Sequence, residues 1–140
     1  MKRFAVLPLI VLVLTACSDD AKPAASTEPT GNTVISYQLM TAIEGKDLID
    51  SGVALTIIDV RTPDEFATGH LEGAVNSDIE GGQFSTYIAT LDKTATYVLY
   101  CHSGRRAALA AQAMADAGFT DVHDIGSIAD WQAAGYPVVQ

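Results

Sequence analysis

With 140 residues, 49% of them hydrophobic, the chain has room for one packed domain and a short appendage, and is too apolar to be disordered throughout. Seventeen Asp and Glu stand against eight Lys and Arg, a formal net charge of −9. Such a surface repels phosphate backbones and anionic lipid heads, which excludes a nucleic-acid-binding role.

The first element is an export signal. Lys2-Arg3 is a short positive stretch, followed by an apolar run from Phe4 to Leu14 that only Pro8 interrupts. About a dozen apolar residues are too few to span a bilayer, which takes roughly 20. The run ends in Leu14-Thr15-Ala16-Cys17, which resembles the bacterial lipobox. The resemblance implies a signal peptide over residues 1–16, cleavage before Cys17, and a thioether-linked lipid on the Cys17 sulfur. An ordinary secretory signal that happens to contain Cys17 is the competing reading. Ser18 stands where an Asp would favour inner-membrane retention, so the expected location is the periplasm-facing outer membrane rather than the inner one. Loss of Lys2 and Arg3 would leave six basic residues against the same 17 acids. Residues 17–33 are the lipidated cysteine and a small, polar, Pro-containing tether.

A folded domain is expected over residues 34–140, with short apolar strands alternating with amphipathic helices. Val34 to Met40 reads as an edge strand. Thr41 and Glu44 form a capping-box pattern that opens a helix to about Asp50, closed by Ser51-Gly52. Leu55 to Val60 is a nearly continuous β-branched and apolar run, as a strand buried on both faces should be. Pro63-Asp64-Glu65-Phe66 opens a helical turn, Gly73 to Asn76 is a weak strand, and Phe84 to Leu91 a helix. Thr96 to Tyr100 is the second strong strand, and Ala107 to Ala117 a helix ended by Gly118. Val122 to Ile125 and Ile128 to Ala134 are the last strand and helix, before Gly135 and Pro137. This alternation predicts an α/β fold with a mostly parallel sheet, whose ligands gather at the carboxyl ends of the strands.

Cys101 falls at such an end. The segment Cys101-His102-Ser103-Gly104-Arg105-Arg106 joins a buried strand to a helix. Free N–H groups at a helix start, the helix dipole, a glycine that lets the loop curl, and two arginines all favour an anion there. A thiol in that setting is expected to ionise more readily than an ordinary cysteine, and the thiolate is the nucleophile. The competing reading is a structural thiol buried at a strand end. The chain has two cysteines. Lipidation of Cys17 would leave Cys101 as the sole thiol, with no partner for an intramolecular disulfide.

Three stretches, in order and at normal spacing, carry a family resemblance. They are Ile58 to Phe66 running into Gly69 to Asn76, the Cys-x-x-Gly-x-Arg loop at Cys101, and Asp130-Trp131 followed by Gly135 to Val138. Over roughly residues 34–140 the chain is similar to the rhodanese sulfurtransferases. The resemblance implies a three-layer fold with a central, mostly parallel sheet of about five strands flanked by helices. It implies that Cys101 takes sulfane sulfur from thiosulfate or a persulfide and passes it to a thiophilic acceptor, cyanide or a thiol. His102, Ser103, Gly104, Arg105 and Arg106 would cradle the persulfide, with Arg106 closing the loop and Arg105 drawing in an anionic donor. Asp59, Arg61 and Glu65 are read as scaffold, with Arg61 and Glu65 a pair four apart that can hold loops by ion pairing. His70 is also read as structural, because transfer through a pre-ionised thiolate needs no general base. His102 is a variable loop residue, His123 has nothing to recommend it, and Trp131 is core or lid packing. No metal and no cofactor are expected, since three scattered His and one remaining thiol show no ligand spacing.

Two other functions compete. A phosphatase or arsenate reductase would place five residues between Cys and Arg, whereas four lie between Cys101 and Arg106. A non-enzymatic binding or stress-sensing module of the cell envelope is the second, though inactive members of the family commonly lack the cysteine. The chain departs from many relatives in having Gly126-Ser127 in place of two glycines and Ala107 after the loop arginine.

Overall fold

A computed structural model describes residues 37–140. The expected signal peptide, Cys17, the tether and the first residues of the expected Val34–Met40 strand lie outside the described residues. Of that strand, β1 (Gln38–Leu39) is described.

Helix α1 (Ala42–Asp50) opens on the Thr41/Glu44 capping box, both hydrogen bonds of which are present. It packs so closely on the sheet that a Cβ on Gly45 would lie 2.5 Å from Ile125 Cγ2. Strand β2 (Leu55–Asp59) leads into α2 (Pro63–Thr68), which has a second capping box, Thr62/Glu65. Then come β3 (Val75–Asn76), α3 (Gln83–Ile88), β4 (Thr96–Cys101), α4 (Arg105–Asp116), β5 (Asp121–Ser127) and α5 (Ile128–Ala133).

The strands form one sheet in the order β1-β5-β4-β2-β3, with every neighbouring pair parallel. Strand β4 is central, and alternation along it sorts the core into two layers. Tyr97, Leu99 and Cys101 face one side, with Phe84 and Ile88 of α3 and Ala107, Ala110, Ala111 and Met114 of α4. Val98 and Tyr100 face the other, with Ala42 of α1 and Ile128 and Trp131 of α5. The result is the three-layer α/β fold, helices on both faces of a parallel sheet. Among the described residues no helix is long and apolar enough to cross a membrane.

Of the boundaries that differ from the sequence expectation, two matter most for the site. Helix α4 starts at Arg105 rather than Ala107, because Gly104, at φ 90°, turns the chain and nothing in Arg105-Arg106 resists helical geometry. Strand β5 runs to Ser127 rather than Ile125. Leu99 pairs with Asp124 but Cys101 with Ser127, so β5 carries one extra residue there. Gly126, at φ 79°, takes up that bulge, and its N–H donates to Asp124 Oδ1 at 2.9 Å.

Candidate active site

The carboxyl edge of the sheet collects the sequence-selected residues around the end of β4. Cys101 is its last residue and has no exposed surface. The chain leaves the strand through exposed His102 and Ser103, and Gly104 then reverses it into α4. The Gly104 N–H donates to Cys101 Sγ at 3.0 Å, and a Cβ on Gly104 would sit 3.7 Å from Gly126 Cα. The bulge of β5 therefore backs the turn that carries the donor. No side chain caps α4, so the N–H groups of its first turn lack both a cap and intrahelical acceptors, next to the sulfur.

Arg106 lies along this turn with its side chain 13% exposed. Its guanidinium makes a two-pronged pair with Glu65, at 2.8 and 2.7 Å, and reaches Glu80 Oε2 at 3.3 Å. The bonds to Glu65 hold Arg106 more firmly protonated than an ordinary arginine, against the pull of burial, with help from Cys101 and Glu80. The Arg106 fork in turn holds the Glu65 carboxyl down at about 2, with burial opposing and the Thr62 cap bonds assisting. Arg105 is largely exposed, 3.6 Å from Glu80 Oε1.

The expected Arg61–Glu65 pair is not made. Arg61 precedes the Thr62 N-cap, so it is not on the helix whose geometry would bring residues four apart together. Its side chain instead turns back on Asp59, with Nη2–Oδ2 at 2.6 Å, and donates to the Gly69 carbonyl at 2.7 Å. Asp59 and Arg61 are both buried, and burial opposes the Arg61 charge while the Asp59 carboxylate more than restores it. Glu65 is thereby free to serve Arg106, 41 residues along the chain.

His70 pairs its backbone with Val139, stacks its ring on Phe66 at 3.8 Å between centroids, and sets Nδ1 3.1 Å from the Phe66 carbonyl. Among the described residues no hydrogen bond joins it to Cys101. His123 lies within β5, buried, with Nε2 2.8 Å from Asp121 Oδ1. Trp131 is buried and donates from Nε1 to the Pro137 carbonyl at 3.0 Å. Ser127, one of the departures, caps α5 by accepting the Asp130 N–H, and its hydroxyl donates to Asp130 Oδ2 at 2.7 Å. Among the described residues no group of three or more His, Cys, Asp or Glu is placed to hold a metal ion. An apolar groove of about 570 Å³ lies nearby, walled by Leu39, Met40, Ile43, Ile125 and Gly126, but none of residues 101–106 lines it.

Sequence reasoning missed Glu80. It sits in the turn after β3, and no local pattern ties such a turn to a helix 26 residues later. The Thr62/Glu65 capping box was also passed over, although its spacing is legible.

The geometry can be set against known proteins. The rhodanese-like domain family matches residues 41–134. A Mycobacterium tuberculosis protein named "Probable adenylyltransferase/sulfurtransferase MoeZ" is 39% identical over 118 residues, covering 81% of this chain and 27% of that protein. The chain thus spans about a quarter of that relative's length. The Escherichia coli thiosulfate sulfurtransferase PspE is 32% identical over 73 residues, covering 52% of this chain and 70% of that one. Among solved structures, a rhodanese-related protein from Thermoplasma volcanium superposes with a TM-score of 0.64 at 29% identity, covering 74% of this chain and 98% of that one. With its parallel sheet between two helical layers and the Cys-to-Arg turn at the end of the central strand, the chain belongs to the rhodanese-like domain family.

Proposed function

We propose that the protein is a sulfurtransferase that works through a persulfide on Cys101. The observation that carries this reading is the Cys101 sulfur at the N-terminus of α4, 3.0 Å from the Gly104 N–H. With thiosulfate, the Cys101 thiolate attacks the outer sulfur, the S–S bond breaks, and its electron pair leaves with sulfite. With a persulfide donor RSSH the same attack releases RS⁻, which takes the proton. In either case Cys101 carries the sulfane sulfur as a terminal anion, which the Gly104 N–H and the start of α4 can stabilise. A thiol or cyanide then attacks that outer sulfur and restores the Cys101 thiolate.

Arg106 acts by holding the turn to Glu65 in this scheme, and Asp59, Arg61 and His70 act as scaffold. The burial of Cys101, which leaves its side chain no exposed surface, keeps bulk solvent from the persulfide. The proposed compartment is the cell envelope, with a lipid on Cys17 tethering the domain, on the strength of the Leu14–Cys17 segment alone.

The test is the intact mass of the purified protein after thiosulfate or a low-molecular-weight persulfide, beside Cys101→Ser. The expected result is a gain of one sulfur atom that cyanide removes and that the variant never shows. Folded protein with a free thiol that gains no sulfur from either donor would overturn the reading, and a non-enzymatic binding module would take its place.

A further inference from the structure

Four charged side chains cluster at the start of α4, directly after the Cys101 turn, and their formal charges cancel. Arg106 is held by Glu65 at 2.7 Å, while Glu80 stands 3.3 Å from Arg106 and 3.6 Å from Arg105. The two arginines that would attract an anionic donor therefore meet two carboxylates. Elsewhere in the described residues, Arg61 is paired with buried Asp59 and Lys46 with Asp50. Lys93 donates to the Ala117 carbonyl, past the last residue of α4, so about 18 Å of helix separates it from Arg105. Among the described residues, a dianion approaching Cys101 finds no unneutralised cation beside it, on a molecule whose formal net charge is −9.

Glu80 is the component that tips the balance. Glu65 is committed to the Arg106 fork and to the Thr62 cap, and is mostly covered. The Glu80 side chain is 54% exposed and its backbone N–H is fixed by Asp78 Oδ1 at 2.8 Å, so its carboxylate is open to solvent beside the two arginines that follow the Cys101 turn. We infer that Glu80 is a specificity-determining residue that selects against the thiosulfate dianion and in favour of organic persulfides, which carry at most one charge on the reacting group. This deepens the sulfurtransferase reading and rests on it. The transfer is the one written above, in which Cys101 thiolate and RSSH give the Cys101 persulfide anion and RSH.

The experiment compares sulfur loading of the wild-type protein, Glu80→Gln and Asp116→Asn, followed by intact mass, with thiosulfate and with 2-hydroxyethyl persulfide. Asp116 is the last residue of the same helix, so Asp116→Asn removes one charge far from the Cys101 turn. Glu80→Gln is expected to raise the thiosulfate-to-persulfide rate ratio about threefold to tenfold at low salt, a gain that shrinks at about 0.5 M salt. Asp116→Asn is expected to change the ratio less than about twofold. An unchanged ratio in Glu80→Gln, or an equal rise in Asp116→Asn, overturns the inference while leaving the sulfurtransferase reading intact. If the wild type gains sulfur from neither donor, that reading fails and the inference falls with it.

Discussion

At the scale of single residues, the pair between Glu65 and Arg106 links the Cys101 turn to α2. Glu65 has two duties, since the same carboxylate caps Thr62 and receives both prongs of Arg106. Its pKa, about 2, lies below the ordinary value of 4.5, so the folded state favours the ionised form. Folding therefore draws stability from Glu65 above about pH 4.5, and that contribution is lost as the pH falls toward 2. Glu65→Gln is expected to cost stability at pH 7, and the gap to the wild type should narrow steadily between pH 4.5 and 2. Urea unfolding across that range measures it. A gap that stays constant into acid would mean that the carboxylate charge is not what Arg106 needs.

At the scale of elements, the loop is positioned from behind as much as from its own sequence. Helix α1 presses on Ile125 of β5, and β5 one residue later makes the Gly126 bulge that backs Gly104. At Gly45 the sheet comes so near that any Cβ would meet the Ile125 side chain backbone-side, at 2.5 Å from Cγ2 and 3.0 Å from Cβ. Alanine normally favours a helix interior over glycine by about 1 kcal/mol, but here the crowding outweighs that gain. Gly45→Ala is expected to lower stability by about 1–3 kcal/mol, the usual range for overpacking. It should also slow sulfur loading, by shifting β5 beneath the turn. Denaturant unfolding and the loading rate check the two parts, and a stabilised variant would show that α1 moves freely off the sheet.

At the scale of the whole molecule, the carboxyl edge is held by a buried ion pair. Asp59 ends β2 and Arg61 follows it, where Arg61 also reaches the Gly69 carbonyl and Asn76 donates to the carbonyls of both. Tyr100 accepts the Leu71 N–H, and burial raises its phenol well above the ordinary range, so it stays neutral. Removing one member of a buried pair strands the other, at a cost of about 3–5 kcal/mol. Arg61→Met is expected to fall in that range by chemical unfolding. Asp59→Asn/Arg61→Met should recover part of it, because no lone carboxylate is then buried. A double variant no better than the single one would locate the cost in the Gly69 contact instead.

Local pattern was enough for much of this protein. The order of strands and helices, the Thr41 cap and the parallel sheet follow from periodicity, β-branched runs and turn residues, which act over a few positions. Cys101 at a strand end before a helix was legible for the same reason. Tertiary structure decided the pairing of charges. Sequence spacing proposed Arg61 with Glu65, but packing gave Arg61 to Asp59 and Glu65 to Arg106. Glu80 beside Arg106 and Gly126 behind the turn are likewise brought in by the parallel crossovers. Short-range propensities specify elements, whereas partners 26 and 41 residues apart meet only once the sheet has chosen its strand order.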